Sequence, residues 1–389
     1  MQTEKKGIIY LDNSATTKPY PEAVALAVRH MTDAYGNPSS QHSLGRESKA
    51  AITLARKQVA AALGVRPDEI YFTSGGTESD NLAIFGSCSA RDRQGSRIIT
   101  TAVEHPAVTK AIRIWRRQGW HIDYIPVKGG ELDMEAMAAA ISEKTVLVSV
   151  MMVNNEIGTI FPIRAIRELI DRKKSPALLH CDAVQGFGKL PFTAADLGAD
   201  LITVSAHKIH GVKGCGALYV KKKTKMFALQ FGGGQERGLR PGTESAPLIA
   251  AFGEAVRITM ANMAADTAQM TRLRDYCLDL LAERVPEAVI NSSRRGAPHI
   301  VNFSLPGIGS DISVKHLSNR GIYVSNGAAC KSNYEHKGPQ VLESYGLQPT
   351  ETASALRVSF CGQNTVEEVE ALIDALRDFL DLGDARFPG

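Results

Sequence analysis

Ser205-Ala-His207-Lys208-Ile-His210-Gly211-Val-Lys213-Gly214-Cys-Gly216 is the stretch from which the fold of this chain is best read. Ala199-Asp-Leu-Ile-Thr-Val204 before it is an apolar, β-branched run that predicts a buried strand, and Ala217-Leu-Tyr-Val220 predicts the next one. A lysine between two buried strands is costly if charged and unpaired, because desolvation disfavours the ammonium form. Most lysines escape by running their stem to the surface. Here Ser205 and His207 supply donors beside the lysine, as an anionic group would need. Gly211, Gly214 and Gly216 remove side chains where a flat ligand or another backbone must come close. A lysine kept partly deprotonated in such a place suits a Schiff base with pyridoxal phosphate.

The surrounding composition is that of a globular protein. The 389 residues allow a large domain plus a smaller one, with 44% hydrophobic and 22% charged residues. A net charge of +4 is small and dispersed, which argues against direct nucleic-acid binding. No apolar run is expected to reach the ~18 residues of a membrane span. Met1-Gln-Thr-Glu-Lys-Lys lacks a following signal-type apolar core, so the expected compartment is the cytoplasm. Cys88, Cys181, Cys215, Cys277, Cys330 and Cys361 show no CxxC and no zinc spacing. Neither a disulfide framework nor a metal site is therefore expected, and any cysteine that matters does so as a thiol.

From Glu69 to about residue 220, strands alternate with helices, which predicts an α/β sheet built largely from crossover units. Glu69-Ile-Tyr-Phe-Thr73 is read as a strand and Asp80 to Phe85 as a helix. Between them, Ser74-Gly75-Gly76-Thr77-Glu78-Ser79 forms either a phosphate cradle at a helix N-terminus or a simple capping box. Other polar groups sit at strand ends, where open α/β sheets place ligands: His105, then Asn154-Asn155, then Asp182 with Gln185. Phe231 to Glu244 is a long glycine-rich loop of the kind that usually carries function. Ala246 to about Arg284 reads as one long helix leading to a smaller α+β region. There His299–Ser304, Ile322–Ser325 and Leu356–Phe360 read as strands, and residues 311–319 and 365–380 as helices.

With these residues placed, the chain resembles the cysteine desulfurases of the nitrogen-fixation and iron–sulfur type, within the class V aminotransferases. The resemblance runs from Tyr10-Leu-Asp-Asn-Ser-Ala-Thr-Thr17 to Ala355-Leu-Arg357. It is carried by Ser205-x-His-Lys-Ile-x-Gly-x-Lys-Gly and Gly232-Gly-Gly-x-Glu-Arg-Gly-x-Arg-x-Gly-Thr243. Selenocysteine lyases share much of this pattern. The resemblance implies the fold type I architecture of pyridoxal-phosphate enzymes, a mostly parallel sheet with helices on both faces. A large domain over 15–255 and a small α+β domain from 1–14 with 256–389 are expected, the latter carrying the cysteine loop.

It also implies roles. Lys208 would hold pyridoxal 5'-phosphate and act on the substrate's Cα proton, and Asp182 would keep the pyridine nitrogen protonated. Gln185 would bond the phenolic oxygen, and His105 would stack on the ring and move protons as a catalytic residue. Gly76, Thr77, Ser205 and His207 would bind the phosphate, with Thr243 reaching the phosphate of the neighbouring subunit in a homodimer. Asn155, which would also contact the cofactor, and Arg357 would hold the carboxylate of L-cysteine. Cys330, helped by Lys331 or His336, would take the sulfur as a persulfide and pass it to an acceptor protein. Its polar setting, running to Gly338-Pro339, predicts an exposed segment of the long-loop class. Two departures bear on the last step. Gly327-Ala-Ala-Cys330 stands where the family has Gly-Ser-Ala-Cys, and the chain ends at Gly389 without the longer tail that docks an iron–sulfur scaffold. The acceptor is thus open between such a scaffold and tRNA or thio-cofactor synthesis.

Overall fold

The computed structural model describes residues 7–327 and 341–381. Its main sheet has seven strands: β1 (Ile70–Thr73), β2 (Arg97–Thr101), β3 (His121–Ile125), β4 (Thr145–Met151), β5 (Leu178–Asp182), β6 (Leu201–Ser205) and β7 (Gly216–Val220). Their order is β1-β7-β6-β5-β4-β2-β3, and β7 alone runs against its neighbours. The strands β4 to β7 are buried at every position, as a sheet covered on both faces requires. The edge strand β3 escapes a reading by hydrophobic run, because most of His121–Ile125 is at least partly exposed.

Two apolar layers flank the sheet. One gathers Phe72, Val148, Val150, Leu179, Ile202 and Val204, and the other Ile98, Leu147, Leu178, Leu201 and Leu218. Successive strand residues thus point to opposite faces, and both faces are packed. The helices that matter here are α1 (Pro21–Thr32), α2 (Ser43–Leu63), α3 (Gly76–Ser89), α4 (Pro106–Arg117) and α5 (Ala246–Arg284). The helix α2 stops at Gly64, whose φ of 66° suits a residue without Cβ. The helix α5 is 39 residues long and includes an 18-residue window of mean hydropathy 1.2. By length and composition it could cross a bilayer, contrary to the expectation from run length. Here it packs against α1 and α2 instead, burying Phe252, Ala255 and Val256.

A second core forms around the C-terminal half of α5. Leu273, Leu281, Val301, Phe303, Val358, Leu372 and Leu376 pack together there with Leu11 from the N-terminal segment. Its sheet is β8 (Val289–Ile290), β9 (Ile300–Ser304), β10 (Ser325–Asn326) and β11 (Ala355–Ser359), in the antiparallel order β8-β9-β11-β10. The helices α6 (Ser310–Asn319) and α7 (Val366–Asp381) cover it. The run Ile322–Ser325, read as one strand, is divided: Ile322–Tyr323 pairs with Ile9–Tyr10, while Ser325–Asn326 joins β11.

Candidate active site

The carboxyl ends of β4, β5 and β6 and the start of α3 open into one cleft. The chain leaves β6 at Ser205 and makes a single tight turn over Ala206–Lys208. Two backbone approaches set that turn beside the β1–α3 connection. A Cβ on Gly211 would lie 2.8 Å from Ala206 O, and one on Gly216 would lie 2.7 Å from Gly75 Cα. The glycines therefore admit neighbouring backbone at these two positions.

The helix α3 begins at Gly76, four residues before the expected start at Asp80. Gly75, with φ 153°, precedes it, and no side chain caps the first turn. The capping-box alternative is not formed: Glu78 Oε2 accepts from Ser74 N at 2.6 Å, one residue before the N-cap, and Gly75 has no side chain to cap with. An uncapped helix start leaves N–H donors and the positive dipole end for an anion. Ser205 stands alongside, since a Cβ built on Gly76 would be 3.7 Å from Ser205 Cβ. The Ser205 hydroxyl is buried and has no partner. A buried hydroxyl without a partner beside an uncapped helix start fits a phosphate group. Thr77 is exposed on the first turn of α3, and His207 Nδ1 lies 3.2 Å from Thr16 Oγ1.

Lys208 is largely enclosed. Its Nζ donates to Ser14 O at 2.5 Å and to Ala15 O at 2.8 Å. Burial, with Arg357 nearby, pulls its pKa down to about 8, against the opposing pull of Asp12 and Asp182. A fraction of free amine near neutral pH, far above that of an ordinary lysine, follows from this. Asp182 ends β5, and its Oδ1 accepts from Val184 N at 3.0 Å. Burial raises its pKa, while that hydrogen bond and Lys208 oppose the rise. Such a carboxylate gains most from a buried cationic N–H partner, as a pyridinium would provide. Gln185 is buried, and its Nε2 donates to Ser14 O at 2.9 Å. His105 is the N-cap of α4, its Nδ1 accepting from Ala107 N at 3.1 Å. The residue is otherwise exposed. The cleft walls and the charge of Lys208 hold the His105 pKa well below the usual histidine range.

Arg357 on β11 reaches the same cleft from the second core and is 3% exposed. Its Nη2 donates to Asp12 Oδ1 at 2.9 Å and to Ser325 Oγ at 3.2 Å, and its Nη1 to Asn155 O at 2.9 Å. Its Nε is buried without a partner. Asn155 thus meets Arg357 through its backbone. Thr243 is exposed, in the loop held to β1 and α3. Cys330, Lys331 and His336 lie outside the described residues. Cys361 is buried, and burial raises its pKa.

The residues present fit pyridoxal phosphate: an amine of lowered pKa, a buried carboxylate, and an uncapped helix start beside an unpartnered hydroxyl. Several groups were not singled out from sequence. Ser14 and Ala15 hold Lys208 through their carbonyls, which carry no residue-type signal. Asp12 was visible in Tyr10–Thr17, but its partner is 345 residues away. The buried Lys189, whose Nζ donates to Lys208 O at 3.0 Å, looked like any other lysine.

With the geometry in view, comparison with known proteins gives a consistent picture. The family described as "Aminotransferase class-V" matches residues 9–372. A protein named cysteine desulfurase IscS from Clostridium botulinum is 40% identical over 373 residues, covering 95% of this chain and 93% of its own. A solved structure of a NifS-like protein superposes with a TM-score of 0.90 at 34% identity, over 97% of this chain and all (100%) of that one. Another, described as SspA in complex with cysteine, gives 0.79 at 30% identity, over 92% and 99% of the two chains.

Proposed function

The chain belongs to the class V aminotransferase family, and on that premise we propose that it is a pyridoxal-phosphate-dependent cysteine desulfurase. The observation that carries this reading is the meeting of Lys208, Asp182 and Arg357 in one cleft, next to the uncapped start of α3. The SspA structure holds cysteine, which supports L-cysteine as substrate here.

When bound, the cofactor supplies an electron sink for negative charge developing at the amino acid's Cα. Gly76, Thr77, Ser205 and His207 would bind its phosphate, Asp182 would pair with its pyridine nitrogen, Gln185 would bond its ring oxygen, and His105 would pack on its ring. Lys208 moves the proton at the substrate Cα, its lowered pKa making the amine an effective base. Arg357 grips the substrate carboxylate, its unpartnered Nε being one donor free for that purpose. Cys330 then attacks the substrate sulfur as thiolate. The S–S bond forms as the Cβ–S bond breaks, and the carbon fragment keeps that bond's electron pair and leaves as alanine once protonated. The persulfide on Cys330 passes its outer sulfur to an acceptor protein, in iron–sulfur cluster or thio-cofactor synthesis.

Two further parts belong to the same proposal. The protein acts in the cytoplasm, and it works as a homodimer, with Thr243 completing the partner's phosphate site. Val24, Val28 and Met31, exposed on one face of α1, support a covered surface there. The test is Cys330→Ala, assayed for alanine from L-cysteine. Cofactor binding should persist, while alanine formation should fall by at least about a hundredfold, well within the loss seen when a catalytic nucleophile is removed. Turnover close to the parent rate would remove Cys330 from this role.

A further inference from the structure

Gln185 makes two contacts that together fix its amide. Nε2 donates to Ser14 O at 2.9 Å, and a carbonyl oxygen can only accept, so the nitrogen end must face that way. Oε1 then lies 3.3 Å from His299 Nε2. Because Oε1 also only accepts, the proton of His299 sits on Nε2. The other ring nitrogen, Nδ1, is left as a bare lone pair, buried and without a partner. His299 is itself 0% exposed. Lys189, Arg357 and Lys208 face this ring, and with burial they keep it uncharged. The ring therefore leaves one polar atom unsatisfied while making a single side-chain bond, to Gln185. Its backbone position is set from the second core, where His299 O accepts from Phe360 N at 2.9 Å just ahead of β9.

We infer that His299 is a positioning residue for Gln185, holding the amide so that its remaining N–H points to the ring oxygen of the cofactor. Without it, only the Ser14 contact holds the amide, and a rotation that presents Oε1 to that oxygen, which repels instead of binding, costs one hydrogen bond less. The inference rests on the reading of Gln185 given above. It adds that the second core reaches the cofactor's electronics through one histidine.

The test compares the parent with Gln185→Leu, His299→Leu, His299→Asn, His299→Gln and the double variant Gln185→Leu/His299→Leu. All are full chains loaded with pyridoxal phosphate. The readouts are the longest-wavelength absorption band of the bound cofactor, its dissociation constant and the thermal midpoint. His299→Leu should shift the band in the direction that Gln185→Leu does and weaken cofactor binding about fivefold, the scale of one neutral hydrogen bond. The double variant should be no worse than Gln185→Leu. His299→Gln, whose amide nitrogen reaches where Nε2 stood, should restore the band, whereas the shorter His299→Asn should not. Parental band and affinity in His299→Leu and His299→Asn, with both altered in Gln185→Leu, would overturn the inference. If only the thermal midpoint moves, His299 is structural. If Gln185→Leu itself leaves the band and affinity unchanged, the assignment of Gln185 falls first and takes the inference with it.

Discussion

Glu104 shows how much a single buried carboxyl can decide. Its Oε1 accepts from Thr101 Oγ1 at 2.7 Å and Met151 N at 3.0 Å, while Oε2 is buried without a partner. Burial lifts its pKa to about 8, so the group is protonated in the folded state at neutral pH. The unfolded chain releases that proton near the ordinary pKa of about 4.3. Because the folded form binds more protons, this stabilising contribution is full at acid pH and is lost as pH rises toward 8. The Glu104→Gln protein should therefore lose less stability than the parent between pH 5 and 8, by at most about 1.4 kcal/mol per pH unit. Urea unfolding of both proteins across that range measures the difference; parallel curves would mean that Glu104 is ionised in both states. Lys208 has the opposite sign, since its folded pKa is depressed: its support for folding is full above the unfolded value of about 10.4 and is lost as pH falls to about 8.

At the scale of elements, the site depends on close approaches that only particular residues allow. In Gly216→Ala the new Cβ would press on Gly75 at 2.7 Å, and both partners are backbone. The expected cost is about 1–3 kcal/mol, as for an overpacked core, with the start of α3 displaced and pyridoxal phosphate released faster. Chemical denaturation and cofactor release, followed together, check this; a stable variant of normal affinity would show that the β7–α3 contact yields easily. The loop carrying Thr243 is held by arginines. Arg56 bonds Glu236 through both nitrogens, at 2.6 and 2.8 Å, Arg237 stacks 3.9 Å from the Tyr71 ring, and Arg240 pairs with Glu78 at 2.8 Å. Glu236 and Arg237 adopt φ of 46° and 55°, which side chains rarely take, so the pairs hold a strained turn. The Arg56–Glu236 pair is only 13% and 2% exposed, and Glu236→Ala should cost about 3 kcal/mol by leaving Arg56 partly unpaired. A loss below about 1 kcal/mol in urea would mean that the turn holds without it.

At the scale of the whole molecule, the prediction concerns assembly. If Thr243 serves the neighbouring subunit, Lys208→Ala and Thr243→Ala subunits complement each other. Each mixed dimer then contains one intact site and one doubly damaged site. Activity should return on mixing, to about a quarter of the parent's per total subunit when exchange is random. Subunit exchange without recovery would place Thr243 in its own subunit's site. The two cores contribute differently to this machinery. The seven-stranded sheet brings Lys208, Asp182, Gln185 and the start of α3, and the second core brings Arg357 and His299.

Much of this was legible along the chain because it is local. Strand runs such as Leu178–Asp182 and the start of α5 at Ala246 follow from periodicity and punctuation, which act over a few residues. Lys208, Asp182 and Gln185 announced themselves as polar groups ending buried strands. The exact start of α3 did not, since Gly76-Thr77 looks like turn chemistry, and the side chains of Val184, Thr203 and Ser205 that pack on Gly76 come from distant stretches of the chain. Nor did β3, whose place at the sheet edge leaves it without an apolar run. What only the tertiary structure decided is which distant residues meet. Asp12 with Arg357, Lys208 with the carbonyls of Ser14 and Ala15, and His299 with Gln185 are each joined across more than 100 residues. The reason is physical: a hydrogen-bond donor's type is written in the sequence, but its partner is fixed by how two cores pack against one another, and that packing is spread over many apolar side chains.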